Sequence, residues 1–326
     1  MRRRNLLAGA LTLAGTAVAG RSLAGCDHSP DPSDLRLMVP NPPGSGYDIT
    51  ARVLANTLDA AGIARGIEVF NLPGGGGVAG LRRLAYERGN GQLAMMMGLG
   101  VIGAQSASGS PVTLQEMTPI ARLVQEPAVI VVTRDSPHRD LDTLLSAWRA
   151  DPAAMLIGGG SSVGGPDHLA TMLVADAIGL APTRVAYRRY DGGGDLLAAI
   201  LGREVAFGMS GLSEYANQIS EGHLRPLAVT SADPVPQLPA PTMRSAGFDT
   251  VFNNWRGIVA PPDLADSDAE SIRTLIARLH AYPGWASART RFGWTDGYLP
   301  GPAFRTFMRE ESDRWASVLA RLGLRG

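Results

Sequence analysis

Four glycine-rich turns hold most of the chemistry this sequence could perform. They read Pro43-Gly44-Ser45-Gly46-Tyr47-Asp48, Pro73-Gly74-Gly75-Gly76-Gly77, Gly158-Gly159-Gly160-Ser161-Ser162-Val163-Gly164-Gly165-Pro166-Asp167-His168 and Tyr190-Asp191-Gly192-Gly193-Gly194-Asp195. Each stands where an apolar run hands over to a helical pattern. A turn of this kind leaves backbone N–H groups unpaired at a helix N-terminus, where the helix dipole is positive, so it can receive an anion. Several in one chain point to a cleft that grips a small anion with backbone rather than with charged side chains.

Other chemistries are weaker. Gly160-Ser161-Ser162-Val163-Gly164 matches the G-x-S-x-G elbow of a serine hydrolase, with Ser162 as nucleophile. The acid and histidine would have to be Asp195 or Asp249 with His223 or His280, and no upstream His-Gly-Gly oxyanion segment exists. Gly75-x-Gly77-x-x-Gly80 and Gly98-x-Gly100-x-x-Gly103 match a dinucleotide fingerprint, yet Met95-Met96-Met97 stands where the ribose-binding acid belongs. The five histidines show no metal-ligand spacing. Asp167 and His168 read as a capping pair, with direct ligand contact by His168 as the alternative; Asp48 and Asp195 read as helix N-terminal braces. Tyr47, Tyr187 and Tyr190 each adjoin a glycine turn and could aim a hydroxyl into the cleft. Arg188 and Arg189 could face solvent or clamp a carboxylate, and Trp255-Arg256 could form a hinge or a cleft wall.

The elements that must position these turns alternate between strand and helix. Apolar runs at 35–39, 67–70 and 92–97 precede helical spacing, as at Ile49, Val53, Leu54, Leu58 and Ala61. A second unit begins near Val129–Thr133 and repeats the alternation through residue 221, and the apolar run 224–230 could return to the first unit. Residues 34–126 and 232–326 form one expected lobe and 127–231 the other, on mostly parallel sheets. Ligands of such folds lie between the lobes, at the carboxyl ends of the strands.

The ends and the composition narrow the classes. Arg2-Arg3-Arg4 followed by an apolar stretch to Ala19 reads as a secretory signal. Leu23-Ala24-Gly25-Cys26 matches a lipoprotein signal in which Cys26 is lipidated; an ordinary signal with an incidental cysteine is the alternative. Residues 1–25 are the expected leader and 26–33 a tether. Cys26 is the only cysteine, so no disulfide forms within the chain. The 30 basic and 30 acidic residues balance. Without the four leader arginines the balance is 26 to 30, a net charge of about −4, which is no footprint for nucleic acid. The chain lacks lysine, which excludes Schiff-base chemistry and a P-loop lysine.

Taken in order, Pro-Pro-Gly-x-Gly-x-Asp, Asn71-x-Pro73-Gly74-x-Gly76, Gly-Gly-x-Ser-x-Gly-Gly-x-Asp-His, Tyr-x-x-x-x-Gly-Gly-Gly and Leu-Arg-Pro-Leu-Ala-Val-Thr-Ser resemble the Bug-type extracytoplasmic receptors of tripartite tricarboxylate transporters. Met95-Met96-Met97-Gly98-Leu99, Pro111-Val112-Thr113-Leu114, Gly164-Gly165-x-Asp167-His168 and Asp191-Gly192-Gly193-Gly194 resemble the tricarboxylate, citrate-like branch rather than the amino-acid or aromatic-acid branches. The resemblance implies an α/β, two-lobed Venus-flytrap fold of the periplasmic-binding-protein type II, with two crossover strands. It implies a non-enzymatic periplasmic receptor with no cofactor and no metal. The receptor would be monomeric, bind a di- or tricarboxylate, deliver it to membrane transporter subunits, and here be lipid-anchored through Cys26. A ligand sensor for a membrane kinase is the alternative. The implied ligand-binding residues are Gly44, Ser45, Gly46, Tyr47, Asp48, Ser161, Ser162, Gly164, Gly165, His168, Tyr190, Gly192, Gly193 and Ser210. Departures from the family pattern include Ser45, Tyr47, Leu72 and Arg188-Arg189.

Overall fold

The computed structural model describes residues 35–323 except residue 237. The leader, the tether, Cys26 and their expected roles lie outside the described residues. The chain order is β1 (Arg36–Val39), α1 (Gly46–Ala60), β2 (Glu68–Asn71), α2 (Val78–Tyr86), β3 (Leu93–Gly98), α3 (Leu99–Ser108), β4 (Thr118–Thr133), α4 (Leu141–Ala150), β5 (Ile157–Gly159), α5 (Pro166–Ala177), β6 (Tyr187–Arg189), α6 (Gly193–Leu201), β7 (Phe207–Gly211), α7 (Leu212–Ser220), β8 (Leu224–Val229), β9 (Asn253–Ala260), α8 (Asp266–Ala281), α9 (Pro283–Arg291), β10 (Thr295–Pro300) and α10 (Gly301–Arg321).

Two parallel groups, β2-β1-β3 and β7-β5-β6, are joined through antiparallel β9 and β4. The sheet is therefore mixed rather than mostly parallel. The runs 120–124 and 128–133, expected as separate strands, are one strand. The 16-residue β4 crosses between the lobes, pairing with β9 and β10 along its first half and with β7 and β8 along its second. Pro119 and Pro127 lie in this strand, and its register against β9 shifts after Pro119 and again after Arg122. Proline removes a ladder donor, and bulges bend the strand that carries them.

The return crossing is β9, not the 224–230 run. β8 stays in the second lobe beside β4, because Leu224, Leu227, Ala228 and Val229 pack into that lobe's clusters. One hydrophobic cluster lies under β1, β3 and α8, and two flank the second lobe's strands. Met243, Phe252 and Trp315 belong to a second-lobe cluster. Residues 232–252 thus pack with the second lobe, and α10 reaches into it.

Glu311 on α10 ties the lobes together. Its buried Oε2 accepts from Trp255 Nε1 at 3.0 Å and from Trp315 Nε1 at 2.9 Å. Trp255 belongs to the first-lobe core and Trp315 to the second. Glu311→Ala leaves two buried indole donors without an acceptor, and we expect it to cost about 2–5 kcal/mol in urea unfolding. A loss under about 1 kcal/mol would show that the tie does not matter.

Candidate functional site

The first and third turns are built alike. Ser45 caps α1, its Oγ accepting from Asp48 N at 3.4 Å, while Asp48 Oδ2 accepts from Gly44 N at 2.9 Å. In the second lobe, Ser161 Oγ accepts from Asp167 N at 3.0 Å and Asp167 Oδ2 accepts from Gly160 N at 2.6 Å. In both, a serine serves the helix N-terminus and an aspartate folds back to hold the loop. His168 accepts from Gly164 N through Nδ1 at 3.2 Å and packs edge-on to Tyr187. Tyr187 Oη donates to the Ser161 carbonyl at 3.1 Å.

The turns close on one cavity of about 270 Å³. Of the expected site residues, Ser45, Gly46, Tyr47, Ser161, Ser162, Tyr190, Gly192 and Ser210 line it, and Gly74–Gly76 join them from the second turn. Gly44, Asp48, Gly164, Gly165, His168 and Gly193 stand behind the wall; they hold the loops rather than face the cavity. Among the described residues nothing accepts a bond from the amides of Ser161, Ser162, Gly75 or Gly76. Tyr190 Oη and Asn41 Oδ1, also on the lining residues, are buried without a partner.

The jaws touch. An added Cβ would lie 3.2 Å from Ser162 Oγ at Gly76 and 3.3 Å from Ser45 Cβ at Gly192, and at Gly103 would collide with the Gly164 carbonyl. Glu214 on α7 reaches across the lobes, its Oε1 accepting from Gly46 N at 2.5 Å.

Further residues complete the wall: Glu214 and Asn254, which the sequence did not single out, Asp167, expected there only as a cap, and Arg256, expected only as hinge or wall. Arg256 is buried and paired with Glu126, and its Nη1 donates to Thr50 Oγ1 at 3.1 Å. Glu126 Oε1 accepts from Ser213 N, in the first turn of α7, at 2.5 Å. Glu214 was findable: Gly211-Leu212-Ser213-Glu214 is a further strand-to-helix turn with an acid in the first helical turn. Glu126 carried no local signal, because only the crossing of β4 brings it to α7.

Burial raises the two buried carboxyls of the cavity. Asp167 is pushed up to about 7 by burial, against the bonds from Ser210 and Gly160. Glu214 is pushed up to about 8 by burial and by the nearby Asp167 charge. Asp48 behaves oppositely. Burial pulls it upward, but bonds from Arg52, Gly44 and Asn71 outweigh that and hold it below the usual range. Burial lowers His168 to about 4, so its ring is neutral near pH 7. Among the described residues no histidine lines the cavity: His223 pairs with Glu221 and His280 with Asp296, so the triad expected around Ser162 is not assembled. No cluster of metal-binding side chains occurs among the described residues.

Residues 50–324 match the tripartite tricarboxylate transporter family receptor profile. The chain is 27% identical to protein BugT of Bordetella pertussis over 89% of each chain. Its fold is similar to the periplasmic binding protein BugD, with a TM-score of 0.80 at 22% identity, over 89% of this chain and 97% of that one. It is also similar to MatC of Rhodopseudomonas palustris with bound malate, with a TM-score of 0.75 at 20% identity, over 87% and 98%. A further Rhodopseudomonas palustris protein, solved with adipate, aligns with a TM-score of 0.80 at 22% identity, over 89% and 97%. The two-lobed fold expected from the sequence is the fold of these proteins.

The proton content sets a sign for stability against pH. Asp167 and Glu214 keep protons that the unfolded chain releases near pH 4, so their contribution is full below pH 4 and is lost as pH rises through about 7 and 8. His168 has the opposite sign, but its contribution is complete by about pH 6.5. Stability to urea should therefore fall by about 2 kcal/mol between pH 6.5 and pH 8.5, and Glu214→Gln should flatten the decline. A profile that is flat or rising across that window in the wild type contradicts the assignment.

Proposed function

The chain belongs to the tripartite tricarboxylate transporter receptor family, and from that premise we propose that it captures a small carboxylate between its lobes and presents it to the transporter's membrane subunits. Receptors of this family bind solutes outside the cytoplasm and are not enzymes. The observation that carries the reading is the pair of facing jaws. Gly75 and Gly76 on one lobe and Ser161 and Ser162 on the other bring unpaired amides to one cavity. Amides at this position suit a carboxylate, because they donate without bringing a counter-charge of their own.

The sequence resemblance points further, to a di- or tricarboxylate. Of the lining arginines, buried Arg256 is held by Glu126, whereas Arg189 stands 3.6 Å from Asp191 in an exposed pair. One carboxylate is well served by the amides, and a citrate-like ligand with three ionised groups is served least. Bound malate and adipate in structural neighbours support the carboxylate class. Anchoring through Cys26 belongs to the same proposal and is tested by metabolic labelling with a fatty-acid analogue.

Closure needs a ligand that binds the closed form better, and shifting a 1:99 population to 99:1 takes about 5.5 kcal/mol. Four charge-assisted hydrogen bonds at roughly 1.5–3 kcal/mol each supply that. A thermal-shift screen of C3–C6 mono-, di- and tricarboxylates should find stabilising ligands. Ser162→Ala should weaken binding at least tenfold. Gly165→Asp should abolish it, since a Cβ there lies 2.8 Å from Ser161 Oγ and 2.9 Å from the Ser162 carbonyl. If no carboxylate stabilises the protein, the reading fails. Unchanged affinity in both variants would move the site elsewhere.

Gly46→Ala supplies a separate check on closure. Its Cβ would collide with the Arg256 guanidinium and lie 2.8 Å from Glu214 Oε1. The variant, once its circular dichroism shows it folded, should show no ligand-induced compaction in small-angle scattering. Compaction equal to wild type would show that the jaws need not meet at Gly46.

A further inference from the structure

One hydroxyl bridges two carboxyl groups at the back of the cavity. Ser210 Oγ lies 2.7 Å from Asp167 Oδ2 and 2.8 Å from Glu214 Oε2. A serine hydroxyl has a single proton, so it can donate to only one of them. The other short oxygen–oxygen contact requires a proton from a carboxyl group. Asp167 Oδ2 already accepts from Gly160 N, which leaves the order Glu214 Oε2–H to Ser210 Oγ, and Ser210 Oγ–H to Asp167 Oδ2. The upward displacement of both carboxyls agrees with a retained proton.

The position of Glu214 matters as much as its protonation. Its Oε1 takes the Gly46 amide at the α1 N-terminus. A Cβ on Gly193, at the start of α6, would strike its Oε2. The carboxyl group is wedged between two helix N-termini, where a ligand anion would otherwise sit. One of the places the glycine turns make for an anion is thus filled by the chain itself.

The charged groups around this trio are already paired, and the titratable ones offer a second ligand carboxylate no more than phenol hydroxyls, such as the unpartnered Tyr190 Oη and Tyr215 Oη. Arg256 on β9 is held by Glu126 on β4 and Thr50 on α1. Arg189 at the end of β6 faces exposed Asp191. From the other packed elements come the neutral phenols Tyr47, Tyr187 and Tyr215 and the neutral ring of His168. An incoming anion at this end would meet the oxygens of Asp167 and Glu214 with at most a neutral phenol hydroxyl to offset them, and its own charge would add to theirs.

The geometry points to a ligand with one carboxylate on the amide jaws and a hydrogen-bond donor, an ammonium or hydroxyl group, at its other end, with Glu214 as the residue that makes this choice. The inference rests on the carboxylate reading above and narrows it. An ammonium group at Glu214 releases the shared proton to solvent, so its binding tightens as pH rises through about 7–8. A hydroxyl leaves the proton in place. A second carboxylate must bring or retain a proton, so its binding weakens over the same window.

Calorimetric titration of the full folded receptor with succinate, 4-hydroxybutanoate and 4-aminobutanoate, and with the matching C5 and C6 series, at pH 6 and pH 8.5 tests this. At pH 8.5 the hydroxy or amino member should bind at least tenfold tighter than the dicarboxylate of equal length. The amino member should tighten, and the dicarboxylate weaken, from pH 6 to pH 8.5. Glu214→Gln keeps the shape, removes the charge and should shrink the preference at least fivefold. Because the pH series uses the wild type, the test survives a variant that does not fold. Equal or tighter dicarboxylate binding without pH dependence, or an unchanged preference in folded Glu214→Gln, overturns the inference while leaving the carboxylate reading intact. Absence of binding by every member, together with a blank thermal-shift screen, overturns both.

Discussion

The buried ion pair between Arg256 and Glu126 is the constraint on which the site depends. Both side chains are almost fully buried, at 3% and 1% exposure. Either charge alone at that depth would cost several kcal/mol. They sit on β9 and β4, the two strands that cross between lobes, in neighbouring register. The pair therefore lies at the crossing itself. Each partner also serves a helix: Arg256 bonds to Thr50 on α1 and Glu126 receives the Ser213 amide of α7. One ion pair thus fixes the N-terminal ends of a first-lobe helix and a second-lobe helix against the same two strands. Gly211 is part of this arrangement, since a Cβ there would lie 2.7–3.0 Å from the Glu126 carboxylate oxygens.

With those two helix ends fixed, the cavity follows. α1 presents Ser45, Gly46 and Tyr47; α7 presents Glu214, one residue beyond the amide that Glu126 holds. The lobes then meet through Glu214 and Gly46 on one side and Gly103 and Gly164 on the other. Glu311 joins the two cores from behind through its tryptophans. Motion between the lobes can use the bulged β4 and β9 without breaking either core, because each core is filled largely from its own side.

Much of this was legible in the sequence, and the boundary is physical. The glycine turns, the alternating strands and helices and the division into two lobes are local signals, set by residues a few positions apart. The two bracing aspartates were readable because a helix N-terminus dictates its own neighbours; Ser45 and Ser161, expected only as ligand-binding residues, serve the same turns. What escaped is non-local. β4 contains Pro119 and Pro127, which argue against a long strand, and only its place between two sheets overrides them. Glu126 gains meaning from Ser213, 87 residues away, and Glu214 from Gly46, 168 residues away. The apolar pattern of 224–230 shows a buried strand but not which lobe buries it.

The two jaws show why a shared motif does not imply a shared charge state. Asp48 and Asp167 hold their loops in the same way, each accepting from a glycine amide while a serine receives its own N–H. Their surroundings differ. Asp48 also meets Arg52 and Asn71, so it stays ionised and its bonds act as a rigid clasp. Asp167 meets a hydroxyl and, through it, another carboxyl, with no cation in hydrogen-bond contact. One brace is therefore purely structural, while the other couples the shape of its loop to a proton and to whatever sits against Glu214. The asymmetry lies on the second lobe, whose Ser161 and Ser162 amides are also without an acceptor among the described residues. A carboxylate held by Ser161 and Ser162 and a donor received at Glu214 would act on the same loop from two ends, and that loop is the one the first lobe must meet to close.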